Sequence, residues 1–195
     1  MLAIAVALVA IASVAVTGCG SGTTTTQSEG TSITADQFSA FIESIRPGWT
    51  SLAKGHSTLA AANAAWESHD PSQSAVLTLR AAQLYNDAAA QWGTVKAPDG
   101  MTAYEPMVVA VGGLADIAWR KGRILEEFAS GESSVGQTTN RLMKLQIATA
   151  DEMAAYAATT DAWVTEYSTV GGDLRLKPPE WLVELTRQMT PATGG

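Results

Sequence analysis

The sequence predicts an all-α protein, an up-down antiparallel four-helix bundle with a short fifth helix near its C-terminal end. Three observations carry that reading. Thr34-Ala35-Asp36-Gln37, Asp70-Pro71-Ser72-Gln73, Thr102-Ala103-Tyr104-Glu105 and Ser134-Val135-Gly136-Gln137 each place a side-chain acceptor at a helix cap with Glu or Gln three residues on, the pattern of a capping box. Apolar residues then recur at spacings of three and four, the period of a helix with one buried face. No stretch alternates with period two long enough to compete as a strand. Helices are therefore expected at 35–68, 71–95, 103–129 and 135–168, with polar connections short enough to make sequential helices antiparallel neighbours.

Ahead of the first helix, residues 2–16 read LAIAVALVAIASVAV, apolar and uncharged. The run has the length of a signal-peptide core and is shorter than the roughly 20 residues of a spanning helix. Val16-Thr17-Gly18-Cys19 closes it with a branched apolar residue, a small one, glycine and the only cysteine of the chain. These four residues resemble the lipobox of bacterial lipoprotein signal peptides, and the resemblance is confined to residues 1–20. It implies a diacylglyceryl group on Cys19, cleavage just before that residue, and a domain tethered to the membrane through lipid on Cys19. No Lys or Arg precedes the run, where that family usually carries a basic segment. The alternative is an uncleaved apolar anchor with an incidental cysteine. Either reading sends the rest of the chain outside the cytoplasm, to the extracytoplasmic face of the cell membrane.

The expected layout is a signal peptide at 1–18, lipidated Cys19 with a flexible tether at 19–33, the bundle at 34–170, and a C-terminal segment at 171–195. The tether, rich in Gly, Thr and Ser, has no hydrophobic period. With one cysteine, no disulfide forms within the chain. All charges lie beyond Cys19 and sum to a formal −7, which argues against nucleic acid and against electrostatic binding to anionic lipid, since both call for basic patches.

Within the first helix, Phe38, Ile42, Ile45, Trp49, Leu52, His56, Leu59, Asn63 and Trp66 follow one another at spacings of four and three, one face in bundle geometry. The phase continues across Pro47-Gly48, so a kink is expected there rather than a break. The second and third helices present softer, alanine-rich faces: Leu77, Ala81, Leu84, Ala88 and Val95, then Met107, Val111, Leu114, Ala118, Leu125 and Phe128. Gly112-Gly113 in the third helix suggests the close approach of a neighbour. Asp116, Arg120, Arg123 and Glu127 suggest a solvated, ion-paired outer stripe. The fourth offers Leu142, Thr149, Met153, Tyr156, Thr160, Trp163 and Tyr167 on one stripe, with Met143, Ile147, Ala150, Ala154 and Ala157 beside it. Past Gly171-Gly172 the chain should leave the bundle, and a short helix from about Pro179 gathers Trp181, Leu182, Leu185 and Met189 on one side. That helix either docks on the bundle or binds a partner.

His56 and Asn63 are where the first seam stops being apolar, and an antiparallel fourth helix would bring His56 level with Gln146 and Thr149. The ordinary role of such a layer is to fix register. The sharper reading is a ligand-binding or sensory pocket formed by His56, Asn63, Gln146 and Thr149 with Trp49 and Trp163. Trp92 and Trp163 should lie near the end reached by Trp49, and Trp66 and Trp119 toward the other. No metal is expected, because His69 is remote from His56 and no Glu-x-x-His pair exists; haem attachment lacks its Cys-x-x-Cys-His. No cofactor and no catalytic constellation are evident. The function expected is a non-catalytic interaction or structural module of the cell envelope, with an envelope protein or a small apolar ligand as partner.

Overall fold

The computed structural model describes residues 33–189, and all-α is the fold class it has. Val16-Thr17-Gly18-Cys19 and the tether up to residue 32 lie outside the described residues, as does the side chain of Met189. The described helices are α1 (Ala35–Glu67), α2 (Pro71–Gly93), α3 (Tyr104–Ala129), α4 (Val135–Ala148), α5 (Ala150–Asp173) and α6 (Glu180–Met189). None of them is long and apolar enough to cross a membrane.

Three of the four expected caps form. Thr34 and Gln37 close a reciprocal capping box on α1, Ser134 and Gln137 do the same for α4, and the Asp70 carboxylate accepts the Gln73 N–H ahead of Pro71. The fourth does not. Thr102 makes no cap with Glu105; its backbone N–H and its hydroxyl both donate to Glu166 Oε1 at 2.7 and 3.0 Å, and the Ala103 N–H donates to Glu166 Oε2 at 3.0 Å. A full carboxylate from α5 supplies more acceptor capacity to the start of α3 than a threonine hydroxyl does.

Pro47 leaves α1 continuous over 33 residues. The Trp92 indole N–H donates to the Ile45 carbonyl at 2.8 Å beside it, and the ring lies so close to Gly48 that a methyl group there would overlap it. Proline thus weakens the helix ladder at the point where glycine lets a neighbouring indole reach a backbone acceptor. Similar intimacy recurs at Gly55 against the Tyr85 ring and at Gly122 against Leu79. The expected close approach at Gly112-Gly113 is corrected: an added methyl would meet nothing within 4 Å at either glycine, and the tight α2–α3 crossing sits at Gly122 instead.

The expected single helix at 135–168 is bent at Thr149, which ends α4 and precedes α5. The Thr149 hydroxyl donates to the Leu145 carbonyl at 2.9 Å, competing with the helix's own ladder, a known cause of bending. The Thr149 N–H still reaches Leu145 and the Met153 N–H reaches the Thr149 carbonyl, so the chain bends without turning back. Gly171-Gly172 stays inside α5, where Gly171 packs against Phe38; the exit comes after Asp173.

α1 packs along α2 and α2 along α3, with Ala62, Ala81, Ala82, Ala88, Ala115 and Ala118 buried in that block. α5 meets α3 through a shorter contact and reaches α1 through large side chains: Phe38 stacks on Tyr167 at 5.6 Å, and Trp163 sits edge-on to Phe41 at 6.0 Å. α6 docks on α1. Leu182 is buried there, the Trp181 indole N–H donates to Glu43 Oε1 at 2.6 Å, and Arg46 lies over the Trp181 ring.

Candidate functional site

The only titratable seam residue of α1 that faces the interior, His56, is held from two other helices. Tyr85 of α2 places its hydroxyl 3.1 Å from Nδ1, and Tyr156 of α5 places its hydroxyl 3.2 Å from Nε2. Helical spacing explains the inward aim: His56 follows Leu52 by one turn on the buried stripe, Tyr85 lies one turn after Ala81, and Tyr156 lies two turns before Trp163. Gly55, next to His56, has no side chain to displace the Tyr85 ring, which is 5.3 Å from the imidazole.

Burial sets the electrostatics of this layer. Desolvation lowers the His56 pKa from 6.5 to about 4, so the ring is neutral near pH 7. The same cause raises Tyr156 to about 12 and pushes Tyr85 up, with Tyr156 adding to the effect on Tyr85. Neutral imidazole offers one donor and one acceptor, and each hydroxyl can play either part, so both ring nitrogens are satisfied in either tautomer. The trio is a closed polar layer that ties α1, α2 and α5 together.

The residues grouped with His56 on sequence grounds go to separate places. The Asn63 side-chain oxygen accepts from Lys121 Nζ of α3 at 2.9 Å, and burial lowers the Lys121 pKa. Gln146 is exposed on α4, while Thr149 is buried and spends its hydroxyl on Leu145. Trp49 packs edge-on to Trp92 at 5.1 Å, and Trp163 joins Phe41, Tyr104 and Tyr167. His56 is thus brought to neither Gln146 nor Thr149; its partners are Tyr85 and Tyr156. Tyr156 stood on the main stripe of its helix in the sequence, whereas Tyr85, one turn after Ala81, was not among the residues expected on the inner face of the second helix. What local spacing could not supply was the register between helices.

Toward the surface, the expected solvated stripe on α3 proves to join helices. Arg120 pairs with Asp116 at 2.6 Å and reaches Glu152 of α5 at 3.4 Å, while Glu127 pairs with Arg141 of α4. The Arg141 guanidinium, hydrogen-bonded to Glu127, holds that carboxyl below its ordinary value. Among the described residues, one surface pocket of about 550 Å³ lies beside Phe41 and Pro98 and another of about 520 Å³ lies between α2 and α3 beside Asn86 and Trp119. Neither is lined by His56, Asn63, Trp49 or Trp163. Val135, Met143 and Ile147 are exposed along α4, Ile147 at 74%.

These features define a class: a helical protein with a closed, uncharged polar layer in its core and apolar residues on the outside of one helix. No family model matches the chain, and no similar protein was found among curated proteins or solved structures.

Proposed function

We propose that this chain is a lipid-anchored lipoprotein of the bacterial cell envelope, held on the extracytoplasmic face through Cys19, whose helical domain is a non-catalytic interaction module. Its helices form an up-down antiparallel four-helix bundle, the fourth member being α4 and α5 together, with α6 as a strap on α1. In support, contacts between facing helices run in opposite sequence order: Gly48 and Gly55 of α1 meet Trp92 and Tyr85, while Phe38 and His56 meet Tyr167 and Tyr156.

The observation that carries the interaction reading is the closed state of the His56 layer. Both ring nitrogens are already bonded to tyrosine hydroxyls, so the layer serves register, and recognition falls to the surface. On that surface, α4 presents Val135, Met143 and Ile147 to solvent, the kind of apolar stretch that protein partners cover.

Two experiments test this. A Cys19→Ser variant is expected to lose metabolic labelling by a fatty-acid analogue and to stay at its precursor length; unchanged labelling overturns the anchor. A photo-crosslinking residue at Ile147 is expected to trap one defined envelope protein, with no product from the same residue at exposed Glu105 and loss of the product in Met143→Glu. Equal products from both positions overturn the interaction surface.

A further inference from the structure

We propose that His56 is an acid-released latch: protonation of its ring detaches α5, together with α4, from α1 while α1, α2 and α3 stay packed. This goes beyond the interaction reading and does not rest on it.

The geometry comes first. α5 barely approaches α1 along the backbone; the two are joined by Phe38–Tyr167, Phe41–Trp163 and the His56–Tyr156 hydrogen bond. The last is the polar bond among these three, and it lies on the face of α5 that also carries Trp163. α1 and α2, by contrast, are interlocked at Gly48 and Gly55. Loss of the α5 contact therefore leaves a core that already holds itself together.

Protonation alters that bond and the Tyr85 bond to the same ring together. The imidazolium has donors at both nitrogens and no acceptor. Both tyrosine oxygens must then accept, and both O–H groups must turn away to find new partners. No carboxylate among the described residues is hydrogen-bonded to the ring or to either hydroxyl. Of the charged groups on the surrounding elements, Lys54 is exposed on α1, Lys121 of α3 is bonded to Asn63, and Glu152 of α5, one turn before Tyr156, is paired with Arg120. A positive ring in this layer is uncompensated, and the half-buried imidazole gains further hydration when α5 moves off.

The direction of the pH effect follows from linkage. The ring titrates at about 4 when docked and at 6.5 when solvated, so the opened state binds the proton more readily. Docking is at full strength above pH 6.5 and is lost progressively as the pH falls toward about 4. Across that window the docking equilibrium weakens by at most about 300-fold in all, because Tyr85 still covers one side of the ring after α5 leaves, and by up to about tenfold per pH unit.

Hydrogen exchange of the full chain from pH 7 to pH 4, corrected for intrinsic exchange rates, reads the latch directly. The expected result is loss of protection in residues 135–173 at a pH where residues 35–129 remain protected. Three carboxylates also hold α4 and α5 to α3: Glu127, Glu152 and Glu166. A His56→Gln variant separates their titration from that of the ring, because the amide keeps one donor and one acceptor without titrating. Acid release should vanish in His56→Gln above pH 4.5. Should that variant fold poorly, the wild-type imidazole signals followed by NMR must titrate with the same midpoint as the loss of protection. Release of α5 at the same pH in His56→Gln, simultaneous loss of protection in all helices, or a His56 titration near 6.5 with α5 still docked each overturn the proposal.

Discussion

The block of α1, α2 and α3 and the arm of α4 and α5 are built on different terms. In the block, glycines and alanines let helix backbones meet, and large side chains lock into the gaps: Trp92 is fully buried, with its indole on the Ile45 carbonyl, and Tyr104 donates to the Trp92 carbonyl at 2.9 Å. In the arm, Thr138 is the buried residue of α4, and Trp163 and Gly171 are those of α5. The arm is attached by discrete pins: Trp163, the His56–Tyr156 bond, the Glu166 cap and the Glu127–Arg141 pair. The difference teaches that small residues give continuous contact and cooperative stability, whereas aromatic and polar pins give a helix that is held at points.

The sharpest way to break this contrast is to remove one anchor from each side. Trp92→Ala should lower the stability of the whole chain by about 4 kcal/mol, the scale for emptying a fully buried tryptophan site. Urea unfolding followed by circular dichroism measures it, and a loss below about 1 kcal/mol would contradict a block locked by this side chain. Trp163→Ala should produce a smaller global loss of about 2 kcal/mol, since the arm can open locally before the block unfolds. Hydrogen exchange should show it concentrated in residues 135–173; equal loss throughout would mean that block and arm form one cooperative unit. The smallest effect is expected from Glu166→Gln, which replaces one carboxylate oxygen by an amide donor facing the Ala103 N–H. About 1 kcal/mol should be lost, with fraying at the first turn of α3. Amide exchange at Thr102 and Ala103, whose N–H groups the carboxylate holds, is the measurement, and unchanged protection there would show that Glu166 does not hold the helix start.

Much of the block was legible because its signals are local. Thr34 and Asp70 start helices of the block where their side chains can reach an N–H three residues on, as Ser134 does for α4 of the arm. Phe38, Ile42, Ile45, Trp49 and Leu52 are buried in the order their spacing dictates. The arm was less legible because its determinants are distant. Nothing near Thr102 reveals that Glu166 will cap α3, and nothing near His56 reveals that Tyr85 and Tyr156 will flank it. The bend at Thr149 depends on a hydroxyl choosing the Leu145 carbonyl, a choice that helical periodicity does not express. Gly112-Gly113 shows the converse: a glycine pair suggested close packing, yet the neighbour approaches at Gly122, where one glycine faces Leu79.

The Glu166 cap also sets an order of events. The lead into α3, at Thr102, is held by a residue 64 positions later in the chain, so a polypeptide emerging from its N-terminus can zip α1 against α2 while the start of α3 still frays. Arrival of α5 then steadies a helix begun long before, and makes a late element of the chain the one that seals an earlier one.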